Sequence, residues 1–126
     1  MIVDFLEKAG WDGEDIVRIS RGTEEEVRSL RVALRELADG TRALVNIHEL
    51  PGFDCVGGIQ VIAELAGGLA CGSNGTPLGL VFRRSAEAWV ESVHKVEGME
   101  ARPGVGFNWI VEDGGTTTLL SWSGSW

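Results

Sequence analysis

His48, Cys55, Cys71 and His94 are the chain's histidines and cysteines, the side chains best suited to nucleophilic, base or soft-metal chemistry near neutral pH. Together they have the composition of a Cys2His2 zinc site. Compact zinc sites, however, bring their ligands in close pairs such as CxxC or HxxxH. No two of these four residues stand at such a spacing, so no metal site and no cofactor are expected. A catalytic thiol needs a pKa lowered by a nearby imidazole, lysine or helix N-terminus. Cys71 sits between Ala70 and Gly72, with His48 and His94 both distant in sequence, and spacing alone neither supplies nor excludes a base for it. A small enzyme using Cys71 or His48 in a sheet-edge pocket is therefore the alternative function, and no catalytic residue is assigned.

Around Cys71 the chain reads GGLACGSNGTPLG, residues 67–79, with five glycines in thirteen positions. A phosphate-binding loop leaves a strand, turns on glycines and enters a helix whose first N–H groups meet the anion. Here the following residues, Leu78 to Phe82, are β-like, no GK[ST] follows, and the spacing is not GxGxxG. The stretch is expected to be a long connection between two strands, with Ser73-Asn74-Gly75 supplying turn chemistry.

Carboxylates next to imidazole could serve general acid–base chemistry, and His48-Glu49 with Asp54 shortly after offers both groups. If residues 43–50 form a strand, adjacent side chains point to opposite faces, and His48 and Glu49 cannot act on one substrate. Glu64 lies in the apolar run Ile59–Leu65, where alternation places it with Gln60 and Ile62 on a mixed, partly solvated face.

The elements that would position these groups are read from period and punctuation. Residues 1–10 suggest a short helix stopped by Gly10, and Asp12-Gly13 a turn, before the β-like run Ile16–Ile19. Thr23 with Glu26 three residues on is a capping box. Val27, Leu30, Leu34 and Leu37 then form one helical stripe ending at Gly40, and Glu24, Glu25 and Glu26 suit the positive end of that helix's dipole. Strands are expected at 43–50, 59–65 and 78–82. A second helix, capped by Ser85, should turn Trp89, Val90, Val93 and Val96 inward and stop at Gly98. Asp113-Gly114-Gly115 should close a terminal hairpin of 107–111 and 117–122, with Trp109 and Trp122 paired across it. This order predicts an α+β fold, residues 1–126 forming one domain with a mainly antiparallel sheet and two helices on one face.

The 126 residues carry a net charge of −8, which repels nucleic acid and anionic lipid and attracts basic partners. No apolar run is long enough to span a membrane. Acids near the N-terminus do not resemble a signal peptide, and two cysteines do not make a disulfide scaffold, so a cytoplasmic location is expected. Of the five tryptophans, Trp11 and Trp126 have no evident core position. The resulting expectation is a non-enzymatic module binding a basic protein, such as an inhibitor or immunity-type protein that blocks a nuclease-type toxin. Its contact residues are expected among Glu49, Asp54, Glu64 and Trp126.

Overall fold

The computed structural model describes residues 1–10, 13–66, 72–76, 79–113 and 116–123, with 72–76 and 113 described by backbone alone. In chain order the elements are β1 (Ile2–Leu6), β2 (Asp15–Ser20), α1 (Glu24–Ala38), β3 (Leu44–Asn46), β4 (Asp54–Cys55) and β5 (Gln60–Leu65). They continue with β6 (Gly72–Thr76), β7 (Gly79–Arg84), α2 (Ala86–Glu100), β8 (Phe107–Asp113) and β9 (Thr116–Ser121). The strands form two mixed sheets, ordered β4-β1-β2-β9-β8 and β3-β5-β7-β6. The fold is α+β, but the single mainly antiparallel sheet of the sequence reading is replaced by two sheets. β1–β4, β2–β9 and β5–β7 run parallel.

The first strand replaces the helix expected over residues 1–10. A helix that short is marginal without tertiary support, whereas Ile2 to Leu6 pair in full antiparallel register with Ile16 to Ser20. The connection turns through Lys8 and Gly13, both at positive φ. Lys8 N–H is held by the Asp15 carboxylate at 2.9 Å.

The capping box forms as its sequence signature predicts. Glu26 N–H donates to Thr23 Oγ1 at 3.1 Å, and Thr23 N–H to Glu26 Oε1 at 2.8 Å. Val27, Leu30, Leu34 and Leu37 are buried along one stripe, and the chain leaves the helix through Gly40 at φ +76°. The second oxygen of Glu26 accepts from the Met1 ammonium at 2.9 Å, joining α1 to β1. α2 runs past Gly98 to Glu100, because Met99 is buried in the core and Glu97 and Glu100 pair with Arg35 and Arg31 of α1. These pairs and the buried helix stripes hold the helices against each other. Both sheets and both helices contribute to one hydrophobic core.

Three other expectations change. The strand expected over 43–50 stops at Asn46, and Ile47–Glu49 form one turn of 3-10 helix that buries Ile47. The segment 72–76, expected to turn, is a strand paired antiparallel with β7, since glycine weakens strand pairing without forbidding it. Trp109 stands opposite Leu119, not Trp122. Trp122 lies just beyond β9 and is buried, its indole N–H donating to Met99 O at 3.0 Å. The turn residues Gly114-Gly115 fall outside the described residues, as does Trp11.

Leu30 is fully buried at the middle of the α1 stripe, so Leu30→Ala should cost about 2–5 kcal/mol in denaturant melts, and Thr23→Ala about 1 kcal/mol. Glu26 supplies a pH signature. Burial pushes its carboxyl pKa up, but the Thr23 hydrogen bonds and the Met1 ammonium outweigh burial and leave it below the ordinary value. The resulting stability is present above the carboxylate range of the unfolded chain and is lost as pH falls through the lowered folded value. Glu26→Gln should remove this acid-side contribution, so the melting temperatures of the two proteins should converge as pH falls through the lowered folded value; a constant gap across pH would show that the charge contributes nothing.

Candidate functional site

The acids and histidine singled out from sequence occupy separate elements. Glu49 lies on the 3-10 turn after β3, Asp54 on β4 of the five-stranded sheet, and Glu64 on β5 of the four-stranded sheet. Among the described residues no hydrogen bond or ion pair joins any two of the three. Glu64 is partly solvated, as alternation predicts, and pairs with Arg83 directly across the β5–β7 ladder at 3.4 Å. Asp54 is exposed without an ion pair among the described residues. Trp126 and Cys71 lie outside the described residues.

His48 and Glu49 do come together, contrary to the strand argument. The helical turn brings His48 Nε2 to 4.0 Å from Glu49 Oε1, while Asn46 Nδ2 donates to the other Glu49 oxygen at 3.1 Å. The His48 ring is otherwise engaged: Nδ1 lies 3.1 Å from both the N–H and the C=O of Val61. It takes the ladder position left open where β3 ends at Asn46, so the imidazole is used as a strand cap. Cys55 is half-buried, and burial followed by the neighbouring Asp54 charge pushes its thiol pKa up, away from nucleophilic character. No cluster of three or more potential metal ligands occurs among the described residues.

The surface feature that sequence reasoning missed lies at the start of β8. Val105 is 63% exposed and Phe107 50% exposed, and Phe107 meets the half-buried Trp109 edge-to-face with ring centroids 6.5 Å apart. Beside them is a hollow of about 520 Å3 lined by Thr23, Glu24, Pro103, Gly104 and Trp122. Among the described residues β8 is an edge strand. An exposed apolar centre rimmed by polar groups is a composition common at protein interfaces. The alternation of β8 does mark Phe107 and Trp109 as sharing a face. What sequence cannot supply is the edge position, because that depends on which strand pairs with which.

Charge completes the site. Arg18, Arg28, Arg31, Arg35, Arg42 and Arg83 are each within ion-pair distance of a carboxylate of the chain itself. Glu24, Glu25, Asp54, Glu87, Glu91 and Glu112 are exposed and have no such pair among the described residues. The excess charge of the molecule is acid, with Glu24 in the hollow and Glu112 further along β8, while the exposed Arg21 and Arg102 flank the hollow.

No protein-family model, curated protein or solved structure matches the chain. No helix among the described residues is long and apolar enough to cross a membrane.

The environment of Cys55 predicts slow alkylation. At neutral pH its peptide should react with iodoacetamide more slowly than a free cysteine, by site-resolved mass spectrometry, and Asp54→Asn should speed it. Reaction faster than the free thiol would restore Cys55 as a candidate nucleophile.

Proposed function

We propose that this protein is a non-enzymatic binding module whose partner is another, basic protein, acting in the manner of an inhibitor or immunity-type protein. The observation that carries the reading is the asymmetry of ion pairing: the arginines are largely consumed internally while exposed acids remain unpaired. Such a surface accelerates encounter with a cationic cleft, for example that of a nuclease-type toxin, and covers it sterically once bound. Asp54 presents its charge without an ion pair among the described residues, whereas Glu49 is held by Asn46 and lies near His48, and Glu64 is partly compensated by Arg83. The imidazole used as a strand cap lends no support to the His48 form of the enzymatic alternative, and Cys71, its other candidate, lies outside the described residues.

Purification of the native complex, identification of the co-eluting protein and stopped-flow association test the proposal. Association should be fast at low salt and slow steadily as ions screen approach over about 10 Å at 0.1 M. Glu49→Lys and Asp54→Lys should each slow association several-fold at low salt and converge on the parent rate at high salt. An acidic partner, or binding indifferent to salt, would overturn the reading.

A further inference from the structure

β8 carries an irregularity that decides which of its side chains share a face. Its register against β9 runs Phe107↔Ser121 and Trp109↔Leu119, then shifts, so that Val111 stands opposite Thr118 and Glu112 opposite Thr117. Ile110 is the inserted residue of a β-bulge. Five positions separate Phe107 from Glu112, which in a regular strand would put them on opposite faces. Here their partners Ser121 and Thr117 are four apart, so Phe107, Trp109 and Glu112 all lie on the face turned away from the shared core. Bulges characteristically re-aim side chains in this way. This one is held in place: the hydroxyl of Ser92, on α2, donates to Ile110 O while accepting from the buried Arg84 guanidinium.

The backbone at this edge is also oriented outward. Trp122 N–H donates to Gly106 O, which makes Gly106–Trp122 a bonded position of the antiparallel ladder. Bonded and non-bonded pairs alternate, so the N–H and C=O of Phe107 point away from β9, towards the open side of the sheet. The other edges differ. β4 is only two residues long, β3 only three, and β6 carries no charge in its sequence GSNGT.

Building on the proposed function, we infer that the partner docks by adding an extended segment antiparallel to the start of β8. A Lys or Arg of that segment would meet Glu112, and apolar side chains two and four residues later would meet Trp109 and Phe107. That is the spacing Thr117, Leu119 and Ser121 keep against the same three residues. Main-chain hydrogen bonds supply affinity in such strand addition, and alternate side chains supply specificity. A second copy of this chain is the wrong occupant, because antiparallel pairing centred on Trp109 would bring Glu112 towards the exposed Val105–Phe107 end and oppose two chains of net charge −8.

Panning a displayed library of linear ten-residue peptides on the intact protein tests this. Enriched sequences should place Lys or Arg two and four residues ahead of apolar side chains. A synthetic peptide of the leading sequence should shift the amide resonances of Phe107, Asn108 and Trp109. N-methylation of its alternate amides, Phe107→Ala and Glu112→Lys should each weaken it by about tenfold, the order expected for losing one or two such contacts. Both substituted positions are exposed, so the variants should fold. Basic peptides that bind elsewhere, or that tolerate N-methylation, would overturn strand addition while leaving the charge reading intact. Acidic peptides would overturn both, and no enrichment over an unrelated acidic protein would overturn strand addition.

Discussion

The contact on which most of the architecture turns is the hydroxyl of Ser92. It is fully buried, accepts a hydrogen bond from Arg84 at the end of β7, and donates to the carbonyl of Ile110 in β8. One side chain thus joins the four-stranded sheet, α2 and the five-stranded sheet. A bulged strand leaves one residue outside the ladder, and a buried carbonyl without a donor costs about as much as a lost hydrogen bond. Ser92 removes that cost at Ile110. Trp89 reinforces the junction, its ring lying 5.0 Å from the Arg84 guanidinium and its indole N–H donating to Glu64 O. Replacing Ser92 by an apolar residue would leave both Arg84 and Ile110 short of a partner at the same point. The junction is therefore more demanding than its single hydroxyl suggests.

Local signals in the sequence carried the local structure. The capping box at Thr23, the stripe from Val27 to Leu37, the turn at Gly40, the Ser85 cap and the β8–β9 hairpin all depend on residues within a few positions of one another. Where the reading failed, the deciding partner lay far away. Residues 2–6 became a strand because β2 accepts them, and Gly98 failed to stop α2 because Met99 and Glu100 are held by other elements. The helical turn at 47–49 bonds across to Val61, a contact no periodicity can announce.

The same division explains the candidate site. Net acidity was legible from composition, but which acids remain free was not, because ion pairing across α1 and α2, or between β5 and β7, depends on tertiary placement. Glu64 pairs with Arg83 across the β5–β7 ladder, and Glu112 lies one residue past the strand expected over 107–111. Its alignment with Phe107 depends on the bulge, whose Ile110 carbonyl is held by Ser92 on a helix eighteen residues earlier.

An exposed aromatic on an edge strand is ordinarily a hazard, since open backbone groups next to apolar surface invite pairing between copies. Proteins commonly answer that hazard with charge at the edge or with a break in the strand. β8 has both, in Glu112 and in the Ile110 bulge, and the bulge is what turns Glu112 onto the face that Phe107 exposes. Two chains approaching through this edge would each bring a carboxylate towards the other's apolar end, on top of the repulsion between net charges of −8. A cationic chain meets neither obstacle. The features that discourage self-association are thus the ones that would admit a basic partner, and one carboxylate positioned by one bulge can serve both ends.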